Sequence, residues 1–208
     1  MEALYYHKVE NNEVVCELCP HNCHISDYKL GTCKVRQNIE GILYSKNYGQ
    51  VSSLGFDPIE KKPLYHFYPG TEILSVGSLG CNLACEFCQN WQISQTSVEG
   101  FKRGTDKMNP DEIMEIALSK ESNTGIAYTY NEPTVFFEFM VDIAKKAKSN
   151  ELKNVMVTNG FINQDPLNEL NEYMDAVNVD LKAFNNAFFK KYNKSEQAPV
   201  KKTTINMI

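Results

Sequence analysis

The 208-residue sequence contains no apolar run that approaches the roughly 18 residues needed to span a bilayer. Its first residues, MEALYYHKVE, lack the basic and then apolar segments of a signal peptide. These absences predict a cytoplasmic protein with no membrane partner. Basic stripes are also missing, because the net charge is -5 and basic residues form only pairs such as Lys190-Lys191. We therefore expect no nucleic-acid partner, since such binding requires phosphate neutralisation.

The sequence has no disordered character either, because 42% of its residues are hydrophobic and 23% are charged, as in folded globular proteins. Its seven cysteines fall into two sets: Cys16, Cys19, Cys23 and Cys33, and then Cys81, Cys85 and Cys88. Disulfides are rare in a reducing cytoplasm, so clustered cysteines are better explained as metal ligands or redox groups.

Residues 71–208 alternate short apolar runs with amphipathic ones. Buried strands are predicted at EILSVGS (72–78), GIAYTY (125–130), KNVMVTNG (153–160) and DAVNVDLKAF (175–184). Helices are predicted to begin at Asn109 with Pro110 in the first turn, at Thr134, and at Asp165 with Pro166. A repeated strand and helix order predicts a parallel sheet with right-handed crossovers.

The predicted fold is α/β, with a partial (β/α) TIM-type barrel over residues 71–208. This region supplies about four strand-helix units, whereas a complete barrel takes ~250 residues. The last helix is predicted to begin at Pro199 and to continue to Ile208 without a C-cap signal. The barrel therefore looks truncated, either as a fragment of a longer gene product or as a naturally short form.

Residues 1–70 predict a small Cys-rich accessory domain. GILYSKNYGQVSSLGFD (41–57) predicts a pair of hairpin strands. PIEKKPLYHFYPG (58–70) predicts a connector punctuated by prolines.

The segment GCNLACEFCQN (residues 80–90, the cysteine loop) has the spacing C-x3-C-x2-C and follows the first predicted barrel strand. Iron-sulfur clusters favour thiolates, and a site that is one protein ligand short accepts an exogenous ligand. The loop resembles the signature of the radical S-adenosylmethionine (SAM) superfamily. The resemblance implies that Cys81, Cys85 and Cys88 bind three irons of a 4Fe-4S cluster and that SAM binds the fourth. It also implies that Phe87 packs near the adenine of SAM.

Other interpretations explain the loop less well. A structural zinc site needs a fourth ligand, and no cysteine or histidine follows Cys88, so only His66 could serve by folding back. A redox pair formed by Cys85 and Cys88 would leave Cys81 unexplained.

Two further motifs lie at predicted strand ends, where α/β barrels place their active sites. YNEP (130–133) is similar to the family's Gly-Gly-Glu-Pro motif, which implies that Asn131 and Glu132 hold the amino group of SAM. Asn131 departs from the usual glycine. TNG (158–160) places Asn159 at a position that contacts SAM in activating enzymes. Taken alone, the first motif also predicts a helix start, and the second an ordinary turn.

VDLK (179–182) matches the Asp-x-Lys motif of the pyruvate formate-lyase activating enzyme group. Residues two apart on a strand face the same side, so Asp180 and Lys182 can jointly address ribose hydroxyls and a carboxylate. The resemblance implies that both residues bind SAM. No residue is assigned as a catalytic acid or base.

Along most of its length the chain is similar to the radical SAM enzyme of the AmmeMemoRadiSam system. The segments that carry this resemblance are CELCPHNCHI, GFDPIEKKPLYHFYPG, GCNLACEFCQNWQISQ, AYTYNEPT, TNGF and DLKAF. The resemblance implies an oxidoreductase that takes electrons from an external one-electron reductant of the flavodoxin or ferredoxin type. It also implies a protein substrate and a chain that continues beyond residue 208.

The N-terminal cysteines, Cys16, Cys19, Cys23 and Cys33, follow C-x2-C-x3-C-x9-C. Four thiols suffice either to close a tetrahedral zinc site or to hold a second iron-sulfur cluster. The spacing does not choose between them, although short C-x2-C knuckles favour structural zinc.

One alternative function comes from another class of protein. A half-length barrel could bind the cluster without SAM cleavage, as an iron-sulfur electron-transfer or metal-binding module. An intact cluster without SAM-dependent product would favour that alternative.

Overall fold

A computed structural model describes residues 1–207 as a mixed α/β fold. The strands are Tyr6–Lys8 (β1), Val14–Cys16 (β2), His24–Ile25 (β3), Arg36–Ile39 (β4), Ile42–Ser45 (β5), Gln50–Val51 (β6), Ser53–Pro58 (β7), Glu72–Gly77 (β8), Asp106–Lys107 (β9), Asn123–Tyr128 (β10), Lys153–Thr158 (β11) and Ala176–Val179 (β12). The helices are Trp91–Ser94 (α1), Pro110–Leu118 (α2), Phe137–Ser149 (α3), Gln164–Asn171 (α4), Asn186–Phe188 (α5) and Gln197–Asn206 (α6).

The central sheet has five strands in the order β12-β11-β10-β8-β7. Four of them, β8, β10, β11 and β12, are parallel, and β7 pairs antiparallel with β8 at one edge. The predicted parallel sheet is therefore confirmed. Its middle strands are buried on both faces: Leu74, Ile126 and Met156 lie on the face that packs on α2 and α3, and Ile73, Ala127 and Val155 lie on the opposite face. A closed or partial barrel stays a prediction.

The start of α2 agrees with the sequence analysis. The Asn109 side chain accepts hydrogen bonds from the backbone N–H groups of Asp111 and Glu112. The Glu112 carboxylate in turn accepts from the Asn109 N–H, which completes a capping box, and Pro110 occupies the first turn.

The start of α3 differs from the prediction. A 3₁₀ turn, Pro133–Phe136, precedes the helix, and its cap is Glu132 and not Thr134. The Glu132 carboxylate accepts hydrogen bonds from both the backbone N–H and the hydroxyl of Thr134, so the carboxylate takes the capping role.

Three other predicted boundaries were also wrong. The fourth strand ends at Val179 and not near residue 184, because the Leu181 N–H donates to the Val179 carbonyl and turns the chain out of the sheet. Helix α4 begins at Gln164, ahead of Asp165. Helix α6 begins at Gln197 and ends at Asn206, with a Met207 C-cap, whereas the predicted helix reached Ile208, which lies outside the described residues.

The hairpin predicted over residues 41–57 is also wrong. Strand β5 pairs with β4, which precedes it, through a two-residue turn at Glu40 and Gly41. Both turn residues have positive φ angles, 54° and 76°, which match the right-handed twist of a hairpin. Strand β7 pairs instead with β8 of the central sheet.

The N-terminal region (residues 1–70) packs on helix α3. Val14 and Leu18 share one buried hydrophobic cluster with Phe137 of α3. Arg36 and Glu138, which are almost fully buried, form an ion pair across the same contact. The division of the chain at residue 70 stays a prediction. No helix within residues 1–207 has the length and apolar character required to cross a membrane.

Candidate functional site

A cavity of about 320 Å³ opens at the carboxyl ends of the four parallel strands. Every residue predicted from the cysteine loop and the three strand-end motifs lines it: Cys81, Cys85, Phe87, Cys88, Asn131, Glu132, Asn159, Asp180 and Lys182. Their sequence separation spans about half of the chain, so the parallel sheet brings them together. This edge is where open α/β sheets bind ligands.

The cysteine loop leaves β8 at a position that only glycine fits. Gly80 has a φ of +87°, and a Cβ there would lie 2.7 Å from the Cys33 carbonyl oxygen and 2.8 Å from the Val35 side chain. The Gly80 N–H donates to the Ile93 carbonyl over 2.8 Å. The loop is therefore held between the N-terminal region and α1.

Each sulfur of the loop has its own polar neighbour. The Cys81 sulfur lies 3.3 Å from the Leu83 N–H and 3.7 Å from the Asn159 amide nitrogen. The Cys85 sulfur lies 2.8 Å from the amide nitrogen of Asn193. Such donors stabilise a metal-bound thiolate and orient it.

Three thiols are one ligand short of a closed tetrahedral site for a single ion. No group of three or more His, Cys, Asp or Glu side chains within residues 1–207 is arranged to hold one metal ion. In a 4Fe-4S cluster each thiolate binds a different iron, so the sulfurs do not converge on one point. The donor set and its spacing therefore suit the predicted cluster.

Burial controls the protonation of two of these thiols. Burial, with the nearby Glu132 carboxyl, raises the pKa of Cys81 well above its usual value. Burial also raises the pKa of Cys85, although the Asn193 hydrogen bond opposes it. Both groups are therefore thiols near neutral pH, and metal binding releases their protons.

Glu132 is a fully buried carboxyl that joins two strand ends. It accepts hydrogen bonds from the hydroxyls of Thr134 and Thr158, each over 2.7 Å. It also accepts from the backbone N–H of Asn159 over 2.8 Å. Burial raises the pKa of Glu132, and these hydrogen bonds oppose that shift. The carboxyl fixes the loop after β10 against the loop after β11.

The two predicted asparagines also brace the cavity wall. The Asn131 side chain accepts from the Ser78 N–H over 3.1 Å and donates to the Gly80 carbonyl over 2.8 Å. The Asn159 side chain donates to the side-chain oxygen of Asn82 over 2.9 Å. Both hold the start of the cysteine loop to neighbouring strand ends, a role that their motifs alone did not indicate. Their predicted contacts with SAM stay predictions.

The remaining predicted residues present charge and an aromatic ring to the cavity. Lys182 donates to the Asp180 carboxylate over 2.7 Å, although both residues lie beyond the end of β12 and not on the strand itself. Burial lowers the pKa of Lys182, but the Asp180 carboxylate outweighs it and the net shift is upward, so the ammonium stays charged. Phe87 is about half exposed, with a side chain that packs near Phe188.

Asn193 is a site residue that the sequence analysis missed. It is completely buried, and its amide nitrogen contacts the Cys85 sulfur. It ends a π-helical turn, Phe189–Asn193, and its backbone carbonyl accepts from the Ala84 N–H. No local signal in the sequence marks this residue, because the contact joins positions 108 residues apart.

The N-terminal cysteines line a second cavity on the other side of the cysteine loop. Cys16 and Cys33 are buried, and Cys19 and Cys23 are partly exposed. The structure does not support zinc at these residues, because within residues 1–207 no such side chains are arranged around a single ion.

One family model matches more than half of the chain. Residues 75–204 match the family model described as the radical SAM superfamily. The chain is 46% identical over 202 residues to an uncharacterized protein of Methanocaldococcus jannaschii, covering 97% of this chain and 59% of that protein.

More distant likenesses are to one activating enzyme and to one solved structure. The chain is 25% identical over 104 residues to the 4-hydroxyphenylacetate decarboxylase activating enzyme of Clostridium scatologenes, covering 47% of this chain and 33% of that enzyme. A structure of TYW1 with a lysine-pyruvate adduct bound has a TM-score of 0.39 and 15% identity, covering 64% of this chain and 50% of the other. The chain thus spans less than two thirds of each of these relatives.

Proposed function

Because the chain belongs to the radical SAM superfamily, we propose that it binds a 4Fe-4S cluster through Cys81, Cys85 and Cys88 and cleaves SAM reductively. The convergence of all nine predicted residues on one cavity carries this proposal. A cluster held there would pass one electron from an external reductant to SAM, which is the chemistry needed to break the C5'–S bond and yield a 5'-deoxyadenosyl radical.

Different residues of the cavity would bind different parts of SAM. The three thiolates would leave the fourth iron of the cluster without a protein ligand, free for the amino and carboxylate groups of SAM. Asp180 and Lys182 offer a carboxylate and an ammonium to ribose hydroxyls and to the SAM carboxylate. Phe87 offers a ring face to the adenine. Asn131, Glu132 and Asn159 hold the loops that carry these groups, and Asn131 and Glu132 would also hold the amino group of SAM.

We further propose that the chain is the core of an AmmeMemoRadiSam-type enzyme built as a partial (β/α) barrel. The support is the set of segments from CELCPHNCHI to DLKAF. The partial likeness to an activating enzyme supports a protein substrate. A cytoplasmic flavodoxin- or ferredoxin-type protein would supply the electron.

Product formation tests the proposal. The protein is reconstituted anaerobically with iron and sulfide, reduced with dithionite and assayed for 5'-deoxyadenosine formed from SAM. We expect product from the wild-type chain and none from Cys85→Ser. The exposed Glu172→Gln variant is the matched control and should keep full activity.

A bound cluster without product would overturn SAM cleavage and favour the electron-transfer or metal-binding module. The observation that supports this alternative is that the chain spans only 59% of its Methanocaldococcus relative. Binding of SAM without cleavage would show that the cavity is formed and that the missing function lies in the reaction step.

A further inference from the structure

A groove beside the cysteine loop carries several lysines. It measures about 490 Å³, and its lining includes Pro20, His21, Phe161, Lys190, Lys194 and Glu196. A neighbouring hollow shares Pro20 and Glu196 with it and adds Lys202. We call the two together the lysine groove. We propose that an acidic one-electron carrier protein docks in the lysine groove and reduces the cluster, an inference that rests on the proposed function.

The charge of the lysine groove is opposite to that of the whole chain. Residues 186–206 contain five lysines and one acidic residue, Glu196, whereas the chain has a net charge of -5. Lys190, Lys194 and Lys202 line the groove, and Glu196 is the one acidic residue among its described lining residues. A basic groove on an acidic protein attracts acidic partners and speeds their association.

The groove lysines can pair with carboxylates of a partner. Lys190 lies 3.8 Å from Glu196, and Lys194 lies 2.8 Å from Glu86, and all four side chains are more than half exposed. Such exposed ion pairs contribute little to stability, so a partner's carboxylates can replace Glu86 and Glu196. Lys202 is exposed and has no acidic partner within 4 Å among residues 1–207.

The lysine groove lies close to two of the cysteines proposed to bind the cluster. Phe161 lines the groove and belongs to a small buried hydrophobic cluster against which Cys81 and Cys85 pack. Its carbonyl accepts a hydrogen bond over 2.6 Å from Asn82, the residue after Cys81. Asn193, between Lys190 and Lys194 in the chain, places its amide nitrogen 2.8 Å from the Cys85 sulfur. About one layer of side chains therefore separates the groove from these sulfurs.

The position of the lysine groove suits an electron donor better than a substrate. None of its described lining residues lines the first cavity, of about 320 Å³, where SAM is proposed to bind. A substrate has to reach that cavity, whereas a donor only has to approach the cluster. The donor is oxidised by one electron and the cluster is reduced by one, with no bond formed or broken and no proton moved.

The rate of cluster reduction tests the proposal. The reconstituted chain is mixed anaerobically, at low ionic strength, with an acidic flavodoxin in its hydroquinone form, and the cluster absorbance is followed. We expect the second-order rate constant to fall about tenfold or more in the double variant Lys190→Glu/Lys202→Glu. The matched control is Lys107→Glu/Lys145→Glu, which changes the net charge equally at exposed positions outside the groove. Equal rate constants in the two variants would overturn the proposal.

Salt and a second reductant separate docking from damage to the cluster. Raising the ionic strength should slow wild type towards the rate of the groove variant, because salt screens the attraction. A small uncharged reductant, photoreduced deazaflavin, should reduce all the chains at the same rate. Lys190→Arg/Lys202→Arg keeps both charges and should keep the wild-type rate with flavodoxin. Slowing with deazaflavin in the groove variant, or a salt-independent rate in wild type, would contradict electrostatic docking.

Donor binding can be measured without any SAM cleavage. Flavodoxin is titrated by calorimetry into the full chain before reconstitution, and we expect the groove variant to bind about tenfold more weakly than the control variant. That difference would stand even if the chain formed no 5'-deoxyadenosine. Equal affinity in both variants, or no binding to wild type, would overturn the docking site and leave SAM cleavage with a small reductant untouched.

Discussion

The two cysteine sets differ in the number of thiols and in the space beside them. The cysteine loop supplies three thiols to a cavity of about 320 Å³ that also holds a carboxylate and an ammonium. The N-terminal region supplies four thiols to an apolar cavity of about 10 Å³. An incomplete ligand set beside an open cavity suits chemistry on a bound molecule. A complete set in a closed cavity suits support of the fold.

The largest contrast is expected from one serine substitution in each set. With dithionite as reductant, Cys88→Ser should abolish 5'-deoxyadenosine formation, because the proposed cluster loses one of its three ligands. Cys23→Ser should retain most of the product, since Cys23 does not line the cavity of the cysteine loop. The product is measured by chromatography at matched protein concentration. An equal loss of 5'-deoxyadenosine in both variants would show that the two cysteine sets do not have separate roles.

Glu132→Gln should be the next largest effect. The fully buried carboxyl accepts four hydrogen bonds, three on one oxygen from Thr134 and Thr158 and one on the other from Asn159, and an amide NH2 in place of either oxygen would face the donors on that side. We expect a loss of about 2–4 kcal/mol in the free energy of unfolding, with weakened SAM binding. Urea unfolding measures the first effect, with Glu172→Gln as the exposed control. An unchanged midpoint would show that the carboxyl does not hold the strand ends.

Asp57→Asn tests whether the N-terminal region supports the first cavity. The Asp57 carboxylate accepts hydrogen bonds from four side chains: Lys61, Lys62, Ser75 and Tyr130. Tyr130 lines the cavity. We expect Asp57→Asn to cost about 1–3 kcal/mol of stability at pH 7, because two ammonium groups lose their partner. The exposed Asp106→Asn should cost nothing measurable.

The difference in stability between wild type and Asp57→Asn should also depend on pH, in a direction that the pKa of Asp57 defines. Burial would raise the pKa of Asp57, but hydrogen bonds from Lys62 and Lys61 outweigh it and lower the pKa well below its usual value. A lowered pKa stabilises the folded state above the unfolded value of ~3.9 and loses that effect as the pH falls further. The stability advantage of wild type over Asp57→Asn should therefore shrink below about pH 4. A constant difference down to pH 2 would contradict this.

The smallest effect is expected from Asn193→Ala. Removing the amide that contacts the Cys85 sulfur should leave the iron content unchanged and lower the reduction potential of the proposed cluster, because the donor stabilises the more negative reduced state. Redox titration measures the shift in reduction potential. The exposed Asn168→Ala is the control, and an identical potential in both variants would show that Asn193 does not influence the cluster.

Local patterns predicted a good part of this molecule. The apolar runs located the four parallel strands, and Asn109 with Pro110 located the start of α2, since these signals act between residues close in sequence. The cysteine spacing and three strand-end motifs named nine residues that line one cavity. The hairpin at 41–57 was wrong because apolar alternation shows that a segment is a strand but not which strand it pairs with.

The sequence by itself determined which reactive and polar side chains are present: three thiols in one loop, four in the N-terminal region, and the polar residues after each strand. The tertiary structure alone decided how these groups are used. It buried Glu132, whose carboxyl accepts a hydrogen bond from Thr158, placed Asn193 against Cys85 and enclosed Arg36 beside the N-terminal cysteines. Those contacts join residues far apart in the chain, and only folding fixes the distances and the burial on which hydrogen bonding and metal binding depend.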